Sequence, residues 1–600
     1  MSLLEQIKPE IDKHQVISFD IFDTLLLRPY VKPTDLFLHL ERLENAKGFA
    51  KARIEAEKQA RKTHSDLEDI NIGEIYDEIA DKYKGLKEKE MALEAEVLTA
   101  NPEMKEVYDY AIRRGKIVII VSDMYLPRDF LACILQKNGI RHYHKLYVSS
   151  EYRHLKYSGN LYEDVLDDLR VTPKNILHIG DNNKTDGEAA RKKGFSTYTF
   201  EKNIDVYVKN PRINKLIKNF PNNVGVSVIV GLGAIYSLKH GNYWDTFGYN
   251  IAGPICLSYV NWIFQRTSQT NIKDIVFIAR DGFLLEKIFK LYNTGVKTHY
   301  IYAPRSLNLI CQLNYVKTGK FAYEQAMTII NFYKSKDERL KSIPNTLDKQ
   351  AAIDVLEKYK DIFVELAEKE RSAYKKYIQK KNLGKNIATV DSVSMFFSAQ
   401  KFFEKIFLEK NFYGFYYLIQ KGADTKNNNV DSFKKISLYS EDLKLVEFIM
   451  TSPEPPIEYV SNDKPKYKEI LISEQKRIDA YNIFSSSALQ FAQDVKKYFN
   501  DLNLNMSSSE ISEFINTFID YPTIEDRQAF SDVLFAYDPE HEKYIQIFEK
   551  WRQSHKLTYK YTVQFFKMPF LTFKKNKELF EIKFFNIPLI TYSSRSFQYA

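Results

Sequence analysis

Short apolar runs alternate with longer stretches of helical period through the first 200 positions. Residues 15–21 (QVISFDI) read as a buried strand, and from about 33 to 112 the pattern turns helical and highly charged, as in DLFLHLERLENAKGFAKARIEAEKQARK. Strand and helix signals then alternate: KIVIIVSDMY, a helix to about 137, KLYVSS, a helix through NLYEDVLDDL, NILHIGDN, a helix through GEAARKKG, and STYTF. This order predicts an α/β fold: a doubly wound parallel sheet in residues 1–200, with a helical cap inserted at 33–112. Residues 201–224 are polar and punctuated by proline, which suggests a linker. A second alternating unit, Rossmann-like, spans 225–460, with strands at DIVFIARDG, THYIYAPRS, NIATVDSVS and FYGFYYLIQ. Residues 461–555 read as helical. In the final segment, 556–600, FFKMPFLTF (565–573) recurs as FFNIPLITY (584–592), which suggests two edge strands of a small hairpin.

At 600 residues the chain is too long for one hydrophobic core. Three cysteines, Cys133, Cys256 and Cys311, fit neither a disulfide framework nor a zinc site, and point to a reducing cytoplasm. The opening residues are too polar for a signal peptide, and no stretch reaches the ~18 apolar residues of a membrane span; Val226 to Leu238, the most apolar window, reads as a buried helix. The net charge of +9 is uneven: residues 551–600 carry nine Lys or Arg against two Glu, so the rest is nearly neutral. That excludes a nucleic-acid-binding body and leaves one basic appendage.

Four candidate chemical features stand in order at predicted strand or helix ends: Asp20 in SFDIFDTLL, Ser122 after IVIIV, Lys156 before a helix, and Asp181 with Asp186 in GDNNKTD. A carboxylate can attack phosphorus or carbon to give a covalent intermediate. A hydroxyl can donate to a phosphoryl oxygen, and a lysine offsets the charge of carboxylate and phosphate. Further carboxylates hold Mg2+, which prefers oxygen ligands.

This order resembles the haloacid dehalogenase (HAD) superfamily over residues 1–200. The resemblance implies that Asp20 is nucleophile and metal ligand, that Thr24 closes the first motif, that Ser122 and Lys156 serve the second and third, and that Asp181 and Asp186 are the acidic metal-binding pair, with Asn182 an extra ligand candidate. The helical insertion sits where the family places a cap that shapes substrate choice. One departure stands out: phosphatases of the superfamily carry an acid/base aspartate two residues after the nucleophile, and here that position is Phe22. Dehalogenases of the superfamily also have an aromatic residue there. Asp23 follows and is a candidate substitute or substrate contact. The phrases FDIFDTLLLRP, VSDMYLP, HIGDN and ARDGFLL further resemble large predicted HAD hydrolases associated with bacterial capsule and lipopolysaccharide genes, and the terminal repeat resembles tails on enzymes of surface-glycan assembly.

In 225–460, strand ends carry Arg280-Asp281-Gly282, Arg305-Ser306 and Asp391-Ser392. On parallel neighbouring strands these would converge on one cleft suited to a phosphate, nucleotide or sugar. The tail combines its charge with thirteen aromatic residues in 50, a composition suited to an anionic membrane surface, so the expected location is cytoplasmic, with peripheral contact at the inner membrane through 556–600. The leading expectation is a magnesium-dependent phosphatase or phosphotransferase acting on a sugar phosphate or phosphate-linked glycan precursor. Two others stay open: a glycosyl- or phosphotransferase with its chemistry in 225–460, and a glycan-assembly scaffold with a vestigial HAD domain.

Overall fold

A computed structural model describes residues 2–239, 241–292, 294–303, 322–394, 397–437, 441–461, 464–467, 469, 474–499, 502–536, 544–545 and 547–548, and the backbone of four strands between 559 and 593. They fall into two compact units: Met1–Glu469 with Ile478–Tyr521, and Ile470–Arg477 with Pro522–Ala600.

The first sheet contains β1 (Val16–Phe19), β4 (Ile117–Ser122), β5 (Lys145–Val148), β6 (Ile176–Gly180) and β7 (Ser196–Thr199), all parallel, in the order β5-β4-β1-β6-β7. Every residue of β1 and β6 is buried, as expected of strands covered on both faces. The chain turns to opposite sides of β1, which makes the carboxyl ends of β1 and β6 a topological switch point. There the Asp20 N–H donates to the Ile179 carbonyl at 2.9 Å.

The insertion after β1 leaves and returns through a two-stranded antiparallel stem, β2 (Leu26–Leu27) with β3 (Thr99–Ala100). Between them lie helices Asp35–Leu43, Phe49–Thr63, Ile72–Asp77 and Lys87–Val97. The cap therefore closes at residue 100, not at 112. Asn101, as N-cap, and Pro102 start a new helix, Pro102–Arg113, whose buried face (Met104, Val107, Tyr108, Ala111) belongs to the sheet domain.

The second sheet is also wholly parallel: β8 (Asp274–Ile278), β9 (Lys297–Ile301), β10 (Asn386–Ser394), β11 (Asn411–Gln420) and β12 (Val430–Ser437), ordered β12-β11-β10-β8-β9. Its switch point lies between β8 and β10. Helices Ala322–Lys334, Lys349–Lys358 and Lys360–Gln379 separate β9 from β10 and pack on one another through residues such as Ile329, Tyr333, Leu356 and Phe363. A two-stranded antiparallel ribbon follows, β13 (Ile457–Ser461) with β14 (Lys464–Tyr467).

The expected borders between these regions are drawn differently in the structure. Residues 201–224 are not a plain linker: they hold helices Asn203–Val208 and Pro211–Asn219, the latter burying Ile213 and Leu216. Helix Val224–Ser237 is apolar around its whole circumference and needs cover on all sides. It finds part of that cover on the N-terminal domain. A Cβ on Gly231 would lie 2.2 Å from the Pro29 carbonyl carbon, and Ser227 Oγ accepts from Val31 N–H at 2.9 Å while donating to Asp35 at 2.6 Å. Residues 478–521 likewise join the first unit rather than a separate helical region.

In the second unit, β15 (Phe535–Ala536) pairs with β16 (Tyr544–Ile545), and β17 (Tyr559–Phe565), β18 (Met568–Lys575), β19 (Leu579–Phe584) and β20 (Ile587–Ser593) form an antiparallel sheet in that order. The repeat is thus not two edge strands of one hairpin. Each copy spans the end of one strand and the start of the next, with the pairs Phe565–Met568 and Phe584–Ile587 at equivalent places. Pro569 and Pro588 both sit beside register shifts, and β18 pairs with β19 only from Leu571 onward, so the missing N–H of Pro569 is not required there.

One buried histidine joins the cap to residue 499. His39 is fully buried, its Nδ1 is 2.7 Å from the Tyr30 hydroxyl, and its ring packs 4.2 Å from that of Phe499. Burial, aided by the positive charge of Arg42, pushes its pKa down to about 4 from 6.5. The native ring stays neutral where the unfolded ring takes up a proton, so stability is full above pH 6.5 and falls as pH drops toward 4, by up to about 3 kcal/mol. Melting temperatures of wild type and His39→Gln across this range should show a shallower acid decline in the variant.

Candidate active site

Asp20 follows β1 directly, Ser122 ends β4, and Asp181 follows β6, so the parallel strands deliver all three to one edge of the sheet. Asp186 lies four residues into the wide π-helical turn Asn183–Ala189, and Asn182 caps that turn by accepting from the N–H groups of Lys184 and Thr185. The Asn182 side-chain oxygen is therefore used by the backbone. Gly180 allows the arrangement, because a Cβ there would lie 2.4 Å from the Asp186 carboxyl carbon.

Lys156 arrives from the turn between helices Ser149–Tyr152 and Asn160–Leu169. Its Nζ donates to Asp20 Oδ1 at 2.5 Å and to Asp186 Oδ1 at 2.6 Å, and its own N–H donates to Asp123 Oδ1 at 2.9 Å. Asp186 Oδ2 accepts the Asn182 N–H at 3.0 Å, and His178 Nε2 lies 3.2 Å from Asp186 Oδ1. Ser18 Oγ, 2.7 Å from His178 Nδ1, completes the buried chain.

Charge is unevenly shared. Burial lifts the Asp20 carboxyl to about 8; Lys156 opposes the rise, and Asp186 and Asp181 add to it. Burial also works against ionised Asp186, but Lys156 and His178 outweigh it and hold that carboxyl well below its usual range. Ligand oxygens of Asp20, Asp181 and Asp186 lie within 4.8 Å of one another. An all-oxygen, anionic donor set fits a hard divalent cation such as Mg2+. Ser122 Oγ is buried and has no hydrogen-bond partner among the described residues, which suits a hydroxyl that awaits a ligand oxygen.

Thr24 Oγ1 donates to Asp181 Oδ1 at 3.1 Å, so the structure brings Asp20, Thr24, Lys156, Asp181 and Asp186 together, with Ser122 at the end of the neighbouring strand β4. Asp23 adopts a left-handed backbone (φ 58°) and pairs with Lys202 at 3.0 Å. Lys202 also reaches Asp181 Oδ2 at 3.2 Å. Burial disfavours its charge, yet Asp23 and Asp181 raise its pKa above the usual value. At Phe22, the Arg28 guanidinium lies 4.1 Å over the ring and donates through Nε to Glu94 of the cap at 2.7 Å. Sequence reasoning missed Lys202, Arg28 and Asp123; His178 had a visible signal, one ionisable residue inside the apolar run NILHI.

The second switch point gathers its own polar set. Ser392 Oγ donates to Asp281, Asp391 Oδ1 accepts the Ser392 N–H at 2.9 Å, and the N–H of Arg280, which is in a left-handed conformation (φ 75°), donates to Tyr300 Oη of β9 at 2.9 Å. Arg280 and Asp281 follow the end of β8, whereas Asp391 lies within β10 and not at its end, next to Val390, which pairs with Phe277 of β8. Arg305 and Ser306 lie outside the described residues.

Residues 14–194 match the family model described as haloacid dehalogenase-like hydrolase. Among solved structures, the chain is similar to L-2-haloacid dehalogenase from Xanthobacter autotrophicus at 15% identity, over 31% of this chain and 76% of that one, with a TM-score of 0.24. It is similar to a HAD family enzyme from Bacteroides thetaiotaomicron at 17% identity, over 32% and 94%, with a TM-score of 0.25. A hydrolase from Streptococcus pneumoniae is similar at 18% identity, over 32% and 96%, with a TM-score of 0.22. No curated protein matches the chain.

The lone hydroxyl gives a direct test of the site. Ser122→Ala should leave the melting temperature unchanged or slightly higher, since it removes a buried polar group that has no partner among the described residues, while weakening binding of inorganic phosphate. A destabilisation of about 1–3 kcal/mol would show that the hydroxyl is bonded within the fold.

Proposed function

We propose that this protein, whose residues 14–194 form a haloacid dehalogenase-like hydrolase domain, is a magnesium-dependent phosphoryl-transfer enzyme with Asp20 as nucleophile. The observation that carries the reading is the convergence of Asp20, Asp181 and Asp186, with Lys156 bridging two of them and the Ser122 hydroxyl left for a ligand. Asp20, Asp181 and Asp186 would hold Mg2+, which supplies charge neutralisation at the phosphoryl oxygens.

The chain's own groups account for the rest. An Asp20 carboxylate oxygen bonds to phosphorus as the bond to the leaving oxygen breaks, giving an aspartyl phosphate that water or an acceptor hydroxyl then cleaves. Lys156 orients Asp20 and offsets its charge. Ser122 donates to a phosphoryl oxygen. No carboxylate stands at Phe22, where the Arg28–Glu94 pair fills the space, so the proton for the leaving oxygen comes from outside that position. This favours a transferase with an acceptor hydroxyl. In this reading the β8/β10 switch point, with Arg280, Asp281 and Asp391, binds the acceptor or sugar. The substrate class, a sugar phosphate or phosphate-linked precursor of bacterial surface polysaccharide, rests on the resemblance of FDIFDTLLLRP, VSDMYLP and ARDGFLL. A vestigial domain is disfavoured by the intact Lys156 contacts to both Asp20 and Asp186.

Asp20→Asn should reduce turnover of sugar phosphates by at least ~10³-fold with the fold intact, and EDTA should abolish wild-type activity until Mg2+ is restored. Wild-type turnover in Asp20→Asn would place the chemistry elsewhere, with residues 225–460 the alternative.

The basic tail is proposed to hold the enzyme at an anionic membrane surface; among the described residues no helix is long and apolar enough to cross one. Deleting residues 556–600 should weaken sedimentation with anionic vesicles, and wild-type binding should fade with salt, each basic residue near the surface contributing ~1 kcal/mol. Salt-independent pelleting of the truncated protein would place the contact elsewhere.

A further inference from the structure

Lys202 belongs to none of the ordered motifs, yet its ammonium group enters the acidic cluster, 3.0 Å from Asp23 Oδ2 and 3.2 Å from Asp181 Oδ2. The other oxygen of Asp181 accepts from Thr24 at 3.1 Å. Both oxygens of Asp181 therefore have partners within the protein. Lys156 engages one oxygen each of Asp20 and Asp186. Four carboxyl groups, Asp20, Asp23, Asp181 and Asp186, thus outnumber the two ammonium groups paired with them, and a divalent cation would favour the ionised form of those that hold it.

The two lysines are not equally able to yield. The Lys156 side chain is 4% exposed and bonded on both sides, whereas that of Lys202 is 34% exposed and stands three residues beyond the end of β7. We infer that Lys202 is a displaceable counter-cation for Asp181: it occupies this carboxylate while no metal is bound and surrenders it when a divalent cation enters. It is a positioning residue, and the inference rests on the reading of Asp20, Asp181 and Asp186 as metal ligands. It also connects metal binding to the rest of the fold, because the next residue, Asn203, donates from its side-chain amide to the Ala234 carbonyl of helix Val224–Ser237 at 2.6 Å.

Calorimetric titration of the full-length protein with MgCl2 tests this. Lys202→Met should bind Mg2+ about tenfold more tightly than wild type, because the competing charge is gone. Its melting temperature should fall only without metal, and Lys202→Arg should behave as wild type. Lys202→Gln, which keeps a hydrogen-bond donor without the charge, should repeat the gain and serves if Lys202→Met does not fold. Unchanged or weaker Mg2+ binding in the uncharged variants overturns the inference alone. A wild type that binds no more Mg2+ than Asp186→Ala overturns the metal reading, and the inference with it.

Discussion

Two carboxylates, Asp20 and Asp186, share the ammonium group of Lys156 in a space closed to water, and the N-terminal domain is organised around that contact. Buried charges are tolerated only when paired and hydrogen-bonded, and removing one partner from such a set leaves an uncompensated charge. Each member here is therefore tied down from behind. Asp123 fixes the Lys156 backbone, His178 and the Asn182 N–H fix Asp186, and the N–H of Asp20 is bonded across to β6. Gly180 leaves the space that the Asp186 side chain fills. Even so, acidic groups outnumber basic ones in this cluster.

What surrounds this contact comes from distant parts of the chain. The cap, joined through the β2–β3 stem, sends Glu94 to hold Arg28 over Phe22, so an aromatic ring under a guanidinium stands two residues after Asp20. Helix Val224–Ser237 presses on Pro29 and Tyr30, immediately after Arg28, and its own terminal turn is bonded to Asn203, next to Lys202. The loop after β1, the cap and the start of the second sheet region thus meet over a few residues. A rigid contact of backbone on backbone, as at Gly231, transmits a shift where a flexible side chain would absorb it.

Much of the architecture was legible because burial and period-2 or period-3.6 patterning are local properties. QVISFDI, KIVIIVSDMY and NILHIGDN are strands because continuous apolar runs of this length suit a sheet covered on both faces, and their polar terminal residues mark the ends where ligands bind. Other elements carried signals that were passed over. Ser2 and Glu5 form a capping box on helix Leu3–Lys13, and Asn101-Pro102 marks a helix start that ends the cap early. Strand β12, VDSFKKIS, lies at an edge with polar residues on it and shows no strong apolar run.

By itself, then, the sequence determined the two parallel sheets, the order of the motif residues along the first and the departure at Phe22, since each depends on residue type and spacing along the chain. Only the tertiary structure decided that Lys156 bridges Asp20 and Asp186, that Lys202 pairs with Asp23 and Asp181, that Arg28 fills the place above Phe22, and that the expected linker is a pair of helices. They depend on pairings between residues far apart in the chain, such as Lys156 with Asp20, Arg28 with Glu94 and Lys202 with Asp23, set by strand order and by the direction in which each side chain leaves its turn. Nothing in the local pattern of a lysine distinguishes one that faces solvent from one that the fold turns into a cluster of carboxylates.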